Sequence, residues 1–313
     1  MKNLFFLFIC IFFIGCKNEV STDLKVPNDQ YIVILGTAQD GGYPHIGCQK
    51  ECCNNYYNGN QTKQKVVSLG LIDLEANQKF LFEATPDIST QLADLERNHL
   101  KTNSIIDGVF LTHAHMGHYS GLLYFGREAL GKKNIPVFAM PKMKSFITKN
   151  GPWSQLVEIK NIAINNLQND SIINITNSLK VTPFLVPHRD EFSETVGYKI
   201  KGKNKTALFI PDINKWEIWK KNIVDEIKKV DYAFIDATFL REGEINRPMS
   251  EVPHPFIEET TTLFKNETFL VKNKVIFIHF NHTNPTLQSN SKERKEIENL
   301  GFQFATEGQI FGL

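Results

Sequence analysis

The segment His113-Ala114-His115-Met116-Gly117-His118 places three histidines within six residues, directly after the apolar run GVFLT at 108–112. The run predicts a buried strand, and a polar residue just beyond such a strand lies at the rim of its sheet. Because side chains two apart share one face of an extended chain, His113 and His115 can bind one ion. A lone histidine is usually structural, but three in this pattern favour a metal site.

Other short apolar runs also end on a histidine or an aspartate. The residues at these ends are His188, Asp212, Asp236 and His279. In α/β folds such residues meet at one rim of a sheet, where sites form. Zinc prefers imidazole nitrogens and carboxylate oxygens, and a catalytic zinc leaves one position open for water. For Asp236 we expect a simpler role, capping the turn that follows its strand.

The set of strand-end residues resembles the metallo-β-lactamase superfamily. The cluster at 113–118 is similar to its H-x-H-x-D-H motif, and His188, Asp212 and His279 follow in the order of its remaining ligands. Several segments resemble more narrowly the group around pyrroloquinoline quinone biosynthesis protein B and the phosphonate-pathway phosphodiesterase. These segments are the Gly-rich loop after the first strand, ATPD at 84–87, FIDATF at 234–239 and HFNHTNP at 279–285. The resemblance implies an α/β, four-layer αβ/βα sandwich, with two mixed sheets between outer helices.

By position, the resemblance also implies one or two divalent metals. His113, His115 and His188 would hold the first metal. His118 and His279 would hold the second, and Asp212 would bridge the two as the catalytic carboxylate. Zinc is the expected metal, with manganese and iron as alternatives. Such metals deprotonate a shared water, which then attacks a carbonyl carbon or a phosphorus.

Gly117 departs from the family motif, which has an aspartate at this position. In the family that aspartate binds the second metal and orients the attacking water. Three interpretations follow: the site holds one metal, Asp40 or Asp87 from a neighbouring loop supplies the carboxylate, or hydrolysis has been lost. Asp40, Asp87 and His254, which lies in Pro253-His254-Pro255, are also candidates for the wall of a substrate pocket.

A second cluster contains Cys48, Cys52 and Cys53, and His282 follows His279 by three residues. The phosphodiesterase relative has a structural zinc on three cysteines and a histidine in this relation, so the resemblance implies a closed Cys3His zinc site. The cysteine spacing differs from the family's C-x-C-x-x-C. The alternative is one disulfide, from Cys48 to Cys52 or Cys53, with one free thiol.

The N-terminus has the pattern of an export signal, with Met1-Lys2-Asn3 followed by the apolar run 4–14 and Gly15-Cys16. The run is too short to cross a hydrocarbon core, which needs about 20 helical residues. Its ending resembles a bacterial lipobox, in which Cys16 carries the lipid; the alternative is an ordinary cleaved signal. We therefore predict a lipoprotein signal peptide at 1–15, a flexible tether at 16–29, a catalytic domain at 30–313 and a membrane-anchored location in the cell envelope.

The net charge of +1 over 313 residues gives no basic face for nucleic acid. We expect a small-molecule substrate instead; the sequence leaves the oligomeric state open. Three functions remain. The first is a metallohydrolase of a small ester, lactone or phosphodiester. The second is an iron-dependent redox enzyme, and the third is a lipoprotein that binds a ligand without turnover.

Periodicity predicts the remaining elements. Apolar spacing predicts amphipathic helices at 86–99, 214–229 and 292–300. A hairpin is predicted around 75–77, and a closing pair of strands at 302–311.

Overall fold

The computed structural model of the protein describes residue 27, residues 29–246 and residues 248–313. The predicted signal peptide, Cys16 and nearly all of the predicted tether lie outside the described residues, so those predictions stay untested. Within the described ranges, no helix has both the length and the apolar character that crossing a membrane requires.

Two mixed sheets of seven strands form the centre of the fold. The first sheet has, in spatial order, β14 (Ile310–Gly312), β1 (Gln30–Gly36), β2 (Ser68–Asp73), β3 (Gln78–Phe82), β4 (Gly108–Phe110), β5 (Ile135–Ala139) and β6 (Ile162–Asn166). The second sheet has β13 (Gln303–Phe304), β12 (Val275–Ile278), β11 (Tyr232–Asp236), β10 (Thr206–Ile210), β9 (Val196–Lys201), β8 (Lys180–Leu185) and β7 (Ile173–Asn174).

Helices cover the outer face of each sheet. They are α1 (Glu51–Tyr57), α2 (Ile88–Asp94), α3 (Met116–Tyr119), α4 (Pro141–Lys149), α5 (Trp153–Glu158), α6 (Ile223–Lys228), α7 (Ile257–Leu263), α8 (Phe269–Lys272) and α9 (Lys292–Asn299). One π-helical turn, Leu95–His99, extends α2. Short 3₁₀ turns cover Ser120–Phe125, Trp216–Ile218, Met249–Glu251 and Pro285–Leu287.

Three apolar layers separate these elements. Between the sheets, Phe82, Phe110 and Phe209 pack together and are fully buried. On β1, Ile32 faces this inner layer, whereas Val33 faces the layer under α2, α4 and α5. A third layer lies between the second sheet and α6, α7 and α9. Strands covered on both faces are apolar along their whole length, which explains the continuous apolar runs in the sequence. The predicted four-layer αβ/βα sandwich is confirmed.

The hairpin around 75–77 is present, because β2 and β3 pair antiparallel across this turn. The predicted helix at 214–229 is wrong. It is divided into the 3₁₀ turn Trp216–Ile218 and α6, because the side chain of Asn222 accepts hydrogen bonds from two backbone amides and starts a new helix there.

The predicted strand pair at 302–311 is also different. Its two strands, β13 and β14, pair with β12 and β1 respectively, and so belong to different sheets. Both β12 and β1 offer an unpaired edge that a neighbouring strand satisfies. The C-terminal segment therefore closes one edge of each sheet.

Candidate metal centre

The strand-end residues converge on one rim of the sandwich. Two of them, His113 and His118, come from the segment after β4, and His188 follows β8. Asp212 and His279 follow β10 and β12. The rim lies where the two sheets meet, because Ala38, just beyond β1, forms bridges with both Val66 and Phe280.

The first group of candidate ligands is His113, His115, His188 and Asp212, whose ligand atoms all lie within 4.8 Å of one another. His115 Nδ1 lies 2.8 Å from His113 Nε2 and 3.3 Å from His188 Nε2. Asp212 presents Oδ2 at 3.3 Å from His113 Nε2 and Oδ1 at 3.2 Å from His188 Nε2. This is the donor set of a three-histidine metal site with one carboxylate.

The second group is Asp40, His118 and His279, again within 4.8 Å. His118 Nε2 lies 3.2 Å from Asp40 Oδ1 and 3.6 Å from Asp212 Oδ2. His279 Nε2 lies 3.8 Å from the same Asp212 oxygen. Asp212 thus lies between the two groups and contacts both.

Hydroxyl groups fix which nitrogen of two histidines points into the site. Thr112 Oγ1 donates to Glu83 Oε1 at 2.5 Å, so it accepts from Nδ1 of His113 at 2.9 Å. Thr238 Oγ1 donates to Asp236 Oδ1 at 2.7 Å, so it accepts from Nδ1 of His279 at 2.9 Å. In each ring Nε2 keeps its lone pair for a ligand bond.

The other histidines are oriented in the same way. The amide oxygen of Asn214 accepts from Nδ1 of His188 at 3.0 Å, which again leaves Nε2 free. Glu83 Oε1 faces Nδ1 of His118 at 3.3 Å, and Glu191 Oε2 faces Nε2 of His115 at 3.2 Å. Every histidine of the two groups therefore has an outer partner on the nitrogen that points away from the centre, as metal-binding histidines do.

Several inward atoms have no hydrogen-bond partner in the described part of the chain, although they are buried. They are Nε2 of His118, Nε2 of His279 and Oδ1 of Asp212. A buried polar atom left without a partner costs about 1–3 kcal/mol. Because these atoms are lone-pair donors aimed at a common space, the residues fit a divalent cation.

Protonation in the site suits ligation, which needs neutral imidazoles and a charged carboxylate. Burial lowers the pKa of His188 to about 4 and lowers that of His279, against the attraction of Asp212. Burial also holds the pKa of His113 well below its usual range. For Asp212, burial favours the neutral acid, but the facing His188, His254 and His279 outweigh it and hold its pKa well below the usual range.

His254, proposed from the sequence as a pocket residue, lies beside this centre. Its Nδ1 is 2.8 Å from Asp236 Oδ2 and 3.2 Å from Asp212 Oδ1. Burial works to lower the pKa of His254, but the charges of Asp236 and Asp212 outweigh it and raise the pKa to about 9. Asp236 also accepts from the backbone amides of Ile213 and Thr238, so it does cap its strand as expected.

The two loop carboxylates considered for the second metal are separated by the structure. Asp40 belongs to the second group, and its carboxylate also accepts from the side chain of Gln39 at 2.8 Å. Asp87 is engaged elsewhere, because it accepts from Lys63 Nζ at 2.5 Å and from the backbone amide of Val66 at 2.9 Å. The expectation that Asp87 lines the pocket is wrong: it fastens the loop before β2.

A cavity of about 400 Å³ opens next to His254, a size that suits a small molecule. Its polar lining includes Gln39, Arg189, Asn281 and His254. The far wall is formed by His45 and His282, whose rings stack with centroids 4.2 Å apart.

The cysteine cluster lies behind that wall. Cys48, Cys53 and His282 have ligand atoms within 4.8 Å of one another. Cys52 is adjacent, with its Sγ 3.8 Å from that of Cys48, but it does not belong to the group of three. All three cysteines are free thiols, so the structure contains no disulfide among them. Burial lowers the pKa of His282 to about 4, together with the charges of His45 and Lys50, so its ring is neutral and able to bind a metal.

A family model described as "Beta-lactamase superfamily domain" matches residues 78–280, which is more than half of the chain. The chain belongs to the β-lactamase superfamily. The likeness seen in the histidine motif and in the order of the later strand-end residues is therefore confirmed. The matched range ends just after His279 and begins well beyond Asp40 and the cysteine cluster.

Within the superfamily, the likeness to one group extends over most of the chain. Coenzyme PQQ synthesis protein B of Gluconobacter oxydans is 25% identical over 305 residues, covering 90% of this chain and 98% of that protein. The crystal structure of Zn²⁺-bound PqqB from Methylobacterium extorquens covers 90% of this chain and 100% of its own, with a TM-score of 0.75 and 21% identity. A diphosphatase of the PhnP family covers 91% and 97%, with a TM-score of 0.61 and 20% identity. These structures share the superfamily fold.

Sequence reasoning missed Glu83, although this residue contacts both Thr112 and His118. Glu83 is fully buried and has φ 75°, a left-handed conformation that is strained for a residue with a side chain. His279 has φ 68° and shares this property. A carboxylate at the end of β3 was the available signal, since superfamily sites gather at strand ends.

Proposed function

We propose that the protein is a metal-dependent hydrolase of small esters, lactones or phosphodiesters. The observation that carries this proposal is the position of Asp212, whose two carboxylate oxygens face two separate groups of histidine nitrogens. His113, His115 and His188 would hold one metal, and Asp40, His118 and His279 a second, with zinc the expected metal. Metals bound there lower the pKa of a water ligand and polarise the substrate.

The chain's own residues supply charge and orientation around that water. With a pKa of about 9, His254 is protonated at neutral pH and places a positive charge in the wall of the cavity. Asp236 holds this proton at Nδ1 and fixes the ring. A cation at this position stabilises negative charge that develops on a substrate or leaving-group oxygen.

Arg189 supports an anionic substrate, since it lines the cavity and follows the candidate ligand His188 in the chain. Its guanidinium is 53% exposed and lies 3.8 Å from Glu191, so it keeps donors available for a ligand. We therefore favour phosphodiesters over neutral esters within this class.

The test uses purified mature protein with added zinc or manganese, assayed on a chromogenic phosphodiester, a chromogenic ester and a lactone. We expect hydrolysis that the His115→Ala variant loses by at least about 1,000-fold, because the nucleophile is no longer generated. His99→Ala is the matched control: this histidine lies beside Tyr31, away from the metal centre, and its loss should leave turnover unchanged. Activity that survives in His115→Ala contradicts the proposal.

An iron-dependent redox function is the second candidate, favoured by the full-length likeness to proteins named coenzyme PQQ synthesis protein B. Metal analysis and oxygen uptake separate the two functions. A protein that retains iron and consumes oxygen with a small aromatic substrate supports the second candidate, and one that hydrolyses with zinc and ignores oxygen supports the first.

We also propose a structural zinc on Cys48, Cys53 and His282, with Cys52 beside it. The support is the close approach of the three ligand atoms and the neutral ring of His282. Cobalt substitution should give a sulfur-to-metal charge-transfer absorption that Cys53→Ser weakens. An unchanged absorption would contradict this assignment.

We further propose that the protein is exported and carries lipid on Cys16, as the N-terminal sequence indicates. Cells fed labelled fatty acid should incorporate it into the wild-type protein and not into Cys16→Ser. Cys10→Ser, a change within the predicted signal peptide, is the matched control and should keep the label. Label in the Cys16→Ser variant contradicts lipidation at this residue.

A further inference from the structure

We propose that Asp40 replaces the aspartate that the family motif has at position 117, and that it is a ligand of the second metal. The two positions have exchanged roles: the carboxylate comes from the loop after β1, and the motif position has become glycine to make room for it. This inference rests on the metal centre proposed above.

The space around Gly117 is the first argument. A Cβ atom added to Gly117 would lie 2.3 Å from Oδ1 of Asp40 and 2.5 Å from its Cα. Real Cβ contacts are not this short, and the second atom belongs to the backbone, so neither rotation of a side chain nor a small shift relieves the overlap. The carboxylate of Asp40 therefore occupies the place in which a motif aspartate would begin.

The contacts of this carboxylate are the second argument. Oδ1 of Asp40 accepts from the backbone amide of Gly117 at 3.1 Å and lies 3.2 Å from His118 Nε2. Oδ2 accepts from Gln39 Nε2 at 2.8 Å, which fixes the rotation of the group. The Nε2 atoms of His118 and His279 are buried and have no hydrogen-bond partner in the described ranges, so they remain free to share an ion with Asp40.

The backbone gives the third argument, because it fixes Asp40 relative to His279. The amide of Gln39 donates to the carbonyl of Phe280 at 2.8 Å, and the amide of Phe280 donates to the carbonyl of Thr37 at 2.8 Å. The residues before Asp40 are thus paired with the residue after His279. A ligand on this loop is held as firmly as one on a strand end.

Metal content tests the proposal directly. Wild-type protein, loaded with zinc and freed of excess, should retain two metals outside the cysteine site. Asp40→Asn and Asp40→Ala should each retain one metal fewer, with affinity for that metal lower by more than about 100-fold, the upper end of the effect of losing an outer-shell partner. Gly117→Ala should lose the same metal, since its Cβ displaces Asp40.

The exchange can also be reversed. In Asp40→Gly combined with Gly117→Asp, the carboxylate returns to the motif position without the overlap, and the second metal should be regained. Glu191→Gln is the matched control: it removes a carboxylate close to His115 that belongs to neither ligand group, and should keep the wild-type metal count.

Metal is counted by elemental analysis, and the cysteine site is recognised by its sulfur-to-cobalt absorption. Thermal melting confirms that each variant is folded. A wild-type protein with a single metal outside the cysteine site, or a folded Asp40→Asn variant with an unchanged count, overturns the inference. The outcome is separate from that of the hydrolase assay, because two metals lost and regained as described establish the exchange even if none of the substrates is cleaved.

Discussion

His254 Nδ1 lies 2.8 Å from Asp236 Oδ2 and 3.2 Å from Asp212 Oδ1, so one imidazole ring faces two buried carboxylates. Because these charges raise the pKa of His254 to about 9, Asp236→Asn should lower it toward or below the ordinary value of about 6.5. Histidine ring NMR of chelator-treated protein measures this titration. Asp225→Asn on the exposed side of α6 should leave it unchanged. An unaltered His254 titration in Asp236→Asn would show that Asp236 does not set its charge.

The partner shared by His118 and Thr112 is Glu83. Glu83→Gln should weaken binding of the second metal by about 10- to 100-fold, since outer partners orient a ligand and raise its basicity. Competition with a chromogenic chelator measures the affinity. Glu75→Gln, on the exposed turn between β2 and β3, is the control and should bind metal normally. Equal affinities in the wild-type and Glu83→Gln proteins would exclude this role.

The ring of His282 makes stability depend on pH when metal is removed. Its pKa is about 4 in the folded protein, against about 6.5 in an unfolded chain. The unfolded chain therefore binds more protons between these values, so the contribution is complete above pH 6.5 and is lost as the pH falls toward 4. Denaturant midpoints of reduced, chelator-treated protein should fall less steeply over this range in His282→Asn than in wild type. Parallel curves would contradict the assignment.

The inner apolar layer is expected to dominate stability. Phe82 is fully buried and stacks on Phe110 with ring centroids 4.9 Å apart. Phe82→Ala should lower the free energy of unfolding by about 3–5 kcal/mol, because the removed ring leaves a cavity between the sheets. Phe269→Ala, at a site 62% exposed, should change it by no more than about 0.5 kcal/mol. Urea unfolding of both variants provides the comparison, and similar losses would place the core elsewhere.

Much of the site was predictable because its ligands follow buried strands. An apolar run that ends on a polar residue places that residue at a sheet rim, which is why His188, Asp212 and His279 could be grouped from the sequence alone. Asp40 could be named only as one of two loop carboxylates. Its selection depends on the pairing of Gln39 with Phe280, a contact between segments some 240 residues apart that no local pattern encodes.

Other features depended on competition between local and tertiary interactions. The apolar stripe from Trp216 to Ile227 is buried as predicted, but the cap at Asn222 divides the helix. The segment at 302–311 has strand character, yet each of its strands joins a different sheet because an edge of each sheet was free. Glu83 is detectable only by its contacts, since a single carboxylate in a strand-end loop has many structural roles.

The pairing of the loop after β1 with the segment after β12 also joins the two candidate metal sites. Asp40 and the cysteine cluster lie on the first segment, and His279 and His282 lie on the second. An ion at either site restrains the same two pieces of backbone, so part of the ordering entropy of the other site is already met when the second ion arrives. Metal uptake by this protein is therefore expected to be cooperative, and thermodynamic linkage requires that each site strengthen the other by the same factor.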